Sequence, residues 1–461
     1  MKKPTQSDQE PAPKPTGRVP SLLRGMKDTL PTDQPFWNQI IKAVEALAQS
    51  YRYERIDTPI LEEAWLFNRA VGKEADIVEK EMYQFPDRSN DLIALRPEGT
   101  AGVARAYIEH GFVNLPQPVR LYYSGPFFRY DRPQAGRYRQ LHQFGFEALG
   151  DPHPIIDAQL IAVASRLFSS LGIPVTVQIN SIGDATCRPV YVKALADYYR
   201  SRKNSICEAC KKRLLRNPLR LLDCKEPDCR GLAVDAPQTV DHLCDGCRTH
   251  FVSVLEYLDE QEIPYTLNPK IVRGLDYYTR TTFEIYADGD EAASAQSALG
   301  GGGRYDGLIE QLGGRPTPGV GFACGIERLV HLMRERGLEP PKPLAPDVFI
   351  GQLGDSARKL SLKLFDQLQR EGVRVAESLS KDGIKAQLEV ADRLGVKYTL
   401  IVGQKEMMDG TILVRDMENG IQEVVDIQKV VTEIVKRLTR GQSSGRIEPI
   451  PSQPGAEIHA D

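Results

Sequence analysis

Residues 120–150 read RLYYSGPFFRYDRPQAGRYRQLHQFGFEALG, and the spacing predicts two strands joined by a charged loop. The first run is aromatic, with Tyr122, Tyr123, Phe127 and Phe128. Along the return run, 140–148, side chains alternate between faces. His142, Phe144 and Phe146 therefore share one side, and Gln143, Gly145 and Glu147 the other. The first face is expected to be core. The second offers two polar groups around a glycine, whose missing side chain would let a ligand lie against the backbone. Arg129, Arg132, Arg137 and Arg139 crowd the connection together with Pro133 and Gly136. Guanidinium forks pair best with phosphate or carboxylate oxygens. An anion-binding hairpin is one reading, and a solvated hairpin with an arginine-rich tip is the other.

The rest of the chain bounds these readings. At 461 residues it is long enough for two or three domains with sizeable cores. With 41% hydrophobic and 26% charged residues its composition is that of an ordinary globular protein. Its 59 Lys and Arg against 62 Asp and Glu leave a net charge of -3, so any nucleic-acid contact must use local patches. No apolar run approaches the ~18 residues of a membrane span. The start, MKKPTQSDQEPAPKPTGRVP, lacks the apolar segment of a signal peptide. A cytoplasmic protein without a membrane partner is expected. Its eight cysteines then point to thiols or metal ligands rather than disulfides.

Residues 1–20 and 441–461 are poor in large apolar groups and are expected to be disordered tails. Residues 36–53, FWNQIIKAVEALAQSYRY, carry apolar groups at helical spacing, with Thr32-Asp33 as a plausible cap. YERIDTPILEE, 53–63, reads as a short strand interrupted at Pro59. LIALRPEGTAGVARAYIEH, 92–110, gives a strand, a turn and a helix. At the junction Glu98 either reaches a ligand or stabilises the helix N-terminus. A helix over 157–171 and a strand over 175–179 follow. From 187 to 258 the text turns basic, cysteine-bearing and helical, which suggests an insertion into a larger antiparallel domain. Strand-like text returns at Tyr265 and runs through KIVRGLDYYTRTTFEIYA, 270–287. Pro340, Pro341, Pro343 and Pro346 mark a linker. Beyond it, strands and helices alternate as a compact α/β unit over 343–440.

Three further segments carry chemistry. In VRGLDYYTRTTFE, 272–284, alternation puts Arg273, Leu275 and Tyr277 on one face and Asp276 and Tyr278 on the other, unless a bulge at Gly274 reorients them. LGGGGRYDGL, 299–308, is either a flexible loop or a place where glycines let the backbone pack against substrate. In the second case Arg304, Tyr305 and Asp306 belong to a pocket wall. GVGFACGIERL, 319–329, reads as a strand, a glycine turn and a helix starting near Ile326. Arg328 then lies in the first helical turn, beside N–H groups that favour anions, or is a surface arginine.

Six cysteines fall in close-spaced pairs, Cys207-x2-Cys210, Cys224-x4-Cys229 and Cys244-x2-Cys247. Structural zinc is commonly held this way. One ion needs four ligands. Either two thiols are spare, or His242 and the remaining cysteines make a less regular site, or the thiols are simply reduced. Lys211, Lys212, Arg213, Arg216 and Arg220, at helical spacing, would supply phosphate contacts.

FFRYDRPQ and GRYRQLHQFGFE resemble motif 2 of the class II aminoacyl-tRNA synthetases, in the form found in histidyl-tRNA synthetases. RGLDYYTRTTFE resembles the signature peptide of that family, and GVGFACGIERL resembles class II motif 3. The helix and Pro59 strand resemble motif 1, the dimer interface, although an intramolecular edge strand reads equally well. Tyr130-Asp131 stands where His-Glu is frequent, a swap expected to be tolerated. The resemblance spans residues 20–440.

It implies an α+β fold. A class II antiparallel sheet flanked by helices would form a catalytic domain, 21–342, with the helical insertion 187–258 inside it and an anticodon-binding α/β domain at 343–440. It implies a homodimeric histidine–tRNA ligase that uses ATP, Mg²⁺, L-histidine and tRNA(His). By the same resemblance Arg273 and Arg129 are catalytic, and Arg129, Arg137, Arg273 and Arg328 bind ATP. Glu98, Gly99, Thr100, Gln143, Glu147, Tyr277, Tyr278 and Tyr305 surround histidine. The resemblance adds that the insertion reaches the tRNA acceptor arm, and the cysteine spacing that four of Cys207, Cys210, Cys224, Cys229, Cys244 and Cys247 would hold Zn²⁺ in it. The rival is an inactive relative that binds histidine and regulates the first enzyme of histidine biosynthesis. Such relatives typically lack the C-terminal domain and alter the RGLDYY segment, and both are present here. Another class II synthetase is disfavoured by that same segment.

Overall fold

The computed structural model describes residues 20–72, 75, 77–131, 136, 138–289, 298–341, 344–380 and 383–440. The chain divides into two compact units, Met1–Pro341 and Lys342–Asp461. Both mix helices with sheets, so the fold class is α+β.

In the first unit the initial helix, Gln34–Ser50, buries Ile40, Val44 and Ala48 at helical spacing. Asp33 makes no side-chain cap bond to it. Its carboxylate instead pairs with Lys27 at 3.6 Å and with Arg334, the latter a partner too far along the chain for a local cap pattern to reveal. The Pro59 text forms two strands, β1 (Glu54–Arg55) and β2 (Leu61–Glu63), which belong to different sheets. β2 joins β3 (Gln84–Pro86) and β4 (Leu92–Leu95) in a small three-stranded sheet of order β2-β4-β3.

The main sheet adds β5 (Val119–Phe128), β6 (Gln140–Leu149), β7 (Val175–Ser181) and β8 (Tyr265–Leu267). It is completed by β9 (Thr279–Ala287), β10 (Gly300–Arg304) and β11 (Gly319–Gly325). Its order is β1-β5-β6-β11-β10-β9-β7-β8. All neighbours are antiparallel except β1 with β5 and β7 with β8.

Alternation sorts the two faces. Phe144, Phe146, Phe283, Ile285 and Phe322 pack with Leu160, Ile161, Leu167 and Phe168 of the helix Pro154–Ser170. Burying each such side chain stabilises by ~1.5–3 kcal/mol. A one-residue slip of β6 would drive Gln143 and Glu147 into that core instead, so the register is strongly specified. The opposite face packs Tyr123, Phe127, Tyr277, Tyr278 and Tyr305 against the helix Thr100–Glu109. It is the face with the hydroxyl groups.

Two expectations change here. The strand expected across 270–287 is only Thr279–Ala287. Residues 271–278 turn, with the Asp276 N–H bonded to Val71 O at 3.0 Å, so sheet alternation does not govern where Arg273 and Tyr277 point. Conversely the glycine run is no flexible loop: Gly300–Arg304 is a strand paired on both sides.

Beyond β7, the helices Arg188–Arg200, Glu208–Arg216 and Pro227–Leu232 enclose a core of their own around Tyr191, Leu195, Tyr199, Cys210 and Leu214. The helix Asp245–Glu260 brings the chain back to the main core, where Phe251, Val254 and Leu258 are buried.

The second unit is a five-stranded sheet of β12 (Val348–Gln352), β13 (Val375–Glu377), β14 (Tyr398–Val402), β15 (Thr411–Asp416) and β16 (Gln422–Asp426). Its order is β13-β12-β14-β15-β16. The helices Asp355–Arg370 and Val430–Arg440 contribute Leu364, Leu368 and Ile434 to its core. Among the described residues no helix is long and apolar enough to cross a membrane.

Candidate active site

A cavity of about 600 Å³ opens on the hydroxyl-bearing face of the main sheet. Sequence-distant segments supply its wall. Arg129 stands at the end of β5, Arg273 in the turn before β9, and Arg328 in the first turn of the helix Ile326–Glu335; all three line it. Glu98, Gly99, Thr100, Gln143, Tyr277 and Tyr278 line the same space. Glu147 and Tyr305 lie immediately behind this wall. The Thr100 hydroxyl donates to Glu147 Oε1 at 2.7 Å and the Tyr305 hydroxyl to Oε2 at 2.5 Å. Arg137, with Arg132, falls outside the described residues.

The arginines are held in place before any ligand arrives. Arg129 Nε donates to Pro97 O at 2.8 Å, and Arg328 to Ala298 O. Arg273 Nη1 donates to Glu284 Oε1 at 2.6 Å. Its guanidinium occupies space that β10 leaves open. A Cβ on Gly301 would come within 2.7 Å of the Phe283 carbonyl oxygen on β9 and 2.8 Å of Arg273 Nη1, so the neighbouring strand's backbone requires glycine there and the arginine fills the space beside it. A similar correction applies to Gly145. The room it leaves is taken by the Tyr123 ring, whose hydroxyl oxygen would lie 2.4 Å from a Cβ at that position.

The carboxyl groups divide by environment. Glu98 accepts from the backbone N–H groups of Thr100 and Ala101 at 2.8 and 2.9 Å, and from the Tyr277 hydroxyl at 3.3 Å. It therefore serves the helix N-terminus and the cavity together. Burial raises its pKa, and those donors pull the other way. Glu147 is more extreme. Burial pushes it up to about 8 despite the Tyr305 and Thr100 donors, with the nearby Glu98 charge adding to the rise. Arg304 belongs elsewhere. It is fully buried and pairs with Asp157 on the far side of β10, so the pocket-wall reading of that residue is corrected to a structural one.

Sequence reasoning missed Tyr123 and Glu284 as lining residues, and it read Arg213 and Arg220 as phosphate contacts without placing them at this cavity, which all four line. Tyr123 sits opposite Gly145 in the β5–β6 register, so pairing the two runs residue by residue would have found it. Arg213 and Arg220 come from the inserted helical segment, and no local pattern places that segment over the cavity.

The cysteines also sort themselves. The Sγ atoms of Cys207, Cys210, Cys224 and Cys229 lie within 4.8 Å of one another. Cys207 and Cys224 Sγ are 3.8 Å apart, far beyond the ~2.05 Å of a disulfide. That is roughly the edge of a tetrahedron with Zn–S bonds of ~2.3 Å. The Cys210 N–H points at Cys207 Sγ at 3.4 Å and the Cys207 N–H at Cys229 Sγ at 3.2 Å. Backbone donors of this kind stabilise thiolates. The donor set and its spacing fit a closed zinc site. Cys244, Cys247 and His242 are not in it. His242 Nδ1 lies 3.0 Å from Gln238 O.

The model of the family described as Histidyl-tRNA synthetase matches residues 25–198 and 233–329. The chain belongs to the histidyl-tRNA synthetase family. The model described as Anticodon binding domain matches residues 347–437. A histidine–tRNA ligase of Dehalococcoides mccartyi is 45% identical over 416 residues, covering 90% of this chain and 99% of that protein. One of Caldicellulosiruptor saccharolyticus is 45% identical over 417 residues, with the same coverage of each. Among solved structures, apo histidyl-tRNA synthetase of S. aureus aligns with a TM-score of 0.75 and 36% identity, over 90% of this chain and 100% of that one. The two stretches matched by the histidyl-tRNA synthetase model leave out 199–232, the segment that carries all four clustered thiols.

Proposed function

We propose that this chain is a histidine–tRNA ligase that joins L-histidine to tRNA(His) in two steps. A histidine carboxylate oxygen attacks the α-phosphorus of ATP. The new P–O bond gives histidyl adenylate as the bond to pyrophosphate breaks. A ribose hydroxyl at the tRNA 3′ end then attacks the carbonyl carbon, and AMP leaves. Both steps move negative charge without needing a redox partner, so the protein's part is positioning and charge stabilisation.

The observation that carries this reading is the convergence of Arg129, Arg273 and Arg328 on one cavity with a polar, tyrosine-lined wall. In it, Arg273 bridges the histidine carboxylate and the α-phosphate, Arg129 the α-phosphate, and Arg328 the distal phosphates, with Arg137 on the nucleotide side. Glu98 and Gln143 accept from the α-ammonium or an imidazole N–H. Tyr277 and Tyr278 shape the pocket wall, and Glu147 with Tyr305 orients Thr100 from behind. Carboxylates in the wall suit Mg²⁺, which commonly takes one or two carboxylates and lets phosphates complete its shell. Zinc held by Cys207, Cys210, Cys224 and Cys229 would order the inserted segment, whose Arg213 and Arg220 meet the acceptor arm. The reaction belongs in the cytoplasm, and all eight cysteines are unbridged.

The test is ATP–pyrophosphate exchange with the purified chain. Exchange that depends on histidine, and on no other amino acid, supports the assignment. A histidine-binding regulator would show none.

The reading includes a homodimer. Leu61 and Phe85, which share one face of the small sheet, are exposed large apolar side chains, with Ile60 and Trp65 exposed beside them, a patch of the kind that marks an interface. Sedimentation is expected to give twice the chain mass, and Leu61→Lys with Phe85→Lys to give the single chain. A wild-type monomer at micromolar concentration would refute it.

A further inference from the structure

A second group of donors lies apart from the four clustered thiols. Cys244 is the N-cap of the helix Asp245–Glu260, and Cys247 is buried in its first turn. Facing them are Asp184, in the turn after β7, and Cys187, the N-cap of the helix Arg188–Arg200. One carboxylate oxygen and three sulfurs lie within 4.8 Å of one another. Two chain segments have to meet for this to happen.

The distances have the scale of a coordination shell. Cys187 Sγ is 3.7 Å from Asp184 Oδ1. A tetrahedral centre with Zn–S of ~2.3 Å and Zn–O of ~2.0 Å separates those atoms by roughly 3.5 Å. The Asp184 N–H points at Cys187 Sγ at 3.5 Å, and Asp184 Oδ1 accepts from the Thr186 N–H at 2.9 Å. Such outer contacts fix ligand orientation. Arg280 Nη2 stands 3.5 Å from Asp184 Oδ2 and offsets part of the excess negative charge that three thiolates and a carboxylate leave on a divalent ion.

We propose that Asp184, Cys187, Cys244 and Cys247 form a second structural zinc site, separate from the four-thiolate one. It clamps the point where the chain leaves the main sheet for the inserted helices to the point where it returns. Each bound ion displaces the thiol protons to solvent. The clamp also backs the candidate active site. Arg188, next to Cys187, donates to Tyr278 O and to Gly183 O, and the Arg280 N–H bonds to Gly183 O at 2.8 Å.

Metal analysis of the purified full-length chain decides the matter. Two zinc ions per chain are expected in the wild type and one in each of Cys210→Ser and Cys247→Ser, with none in the double variant. Because Cys210→Ser empties only the four-thiolate set, failure of that site and failure of this one are distinguishable. Where Cys247→Ser does not fold, cobalt substitution of the wild type gives the same answer. The sulfur-to-cobalt absorption should then report three thiolates beyond the four. One ion per chain that Cys247→Ser retains, or a Cys244–Cys247 disulfide in place of metal, would overturn the proposal.

Discussion

Arg273→Ala is expected to lower histidine-dependent ATP–pyrophosphate exchange by ~10²–10³-fold, the loss seen when a preorganised transition-state donor is removed. The reason is local. Arg273 sits over Gly301 with its guanidinium already fixed by Glu284, so it meets developing charge on phosphate without first reorganising. The substitution also strands Glu284, whose side chain is only 10% exposed. Part of any activity loss could therefore come from a loosened sheet. Glu284 still accepts from the Tyr286 hydroxyl, which limits that damage. The variant Arg273→Ala/Glu284→Gln separates the two effects. It is expected to melt close to wild type yet exchange no faster than the single variant. Exchange by Arg273→Ala within about threefold of wild type would remove the residue from the chemistry.

Arg273 also shows where sequence reading stops. RGLDYY has the composition of a strand, and β-propensity is a weak guide where turn geometry decides. The backbone turns with the Asp276 N–H bonded to the Val71 carbonyl, a partner some two hundred positions earlier. By contrast, the faces of β6 were legible from alternation along most of the strand, although His142, expected in the core, is only half-buried and pairs with Glu327. Phe144 and Phe146 are fully buried, while Gln143 lines the cavity. A period of two needs no knowledge of the rest of the chain.

The glycine run illustrates the intermediate case. Glycines announce close approach but not what approaches. At Gly301 the neighbours are the Phe283 carbonyl and the Arg273 guanidinium, and at Gly145 a tyrosine ring, so both contacts are made by protein rather than by substrate. The cysteines behave similarly. Paired spacing revealed that thiols cluster, but not that Cys244 and Cys247 meet Cys187 and Asp184 instead of the other four. That partition depends on how two helices begin, and the spacing within each pair is the same whichever way they are grouped.

Arg304 gives the largest expected change in stability. All five of its N–H donors are engaged. Nε reaches Asp157 at 3.0 and 3.2 Å, Nη1 reaches Asp151 O at 3.1 Å and Asp306 at 3.0 Å, and Nη2 reaches His153 O at 3.2 Å and Asp157 again. Neither Arg304 nor Asp157 has any exposed side-chain surface. Arg304→Ala leaves a buried carboxylate without its cation, which costs ~3–5 kcal/mol. The pH dependence makes the prediction sharper. His250 Nε2 lies 3.8 Å from Asp157 Oδ2, and burial holds its pKa down to about 4. An unfolded histidine titrates near ~6.5, so in the wild type the neutral-His250 contribution is present above that value and is lost as pH falls toward 4. Without Arg304, one of the charges that hold the His250 pKa down is gone while Asp157 still raises it, so the folded variant binds a proton at His250 more readily than the folded wild type. The deficit of Arg304→Ala relative to wild type should therefore shrink on going from pH 7.5 to pH 5.5, as read by urea unfolding at the two values. A deficit that widens with acid, or a variant as stable as wild type, would show that Asp157 is not the charge Arg304 neutralises.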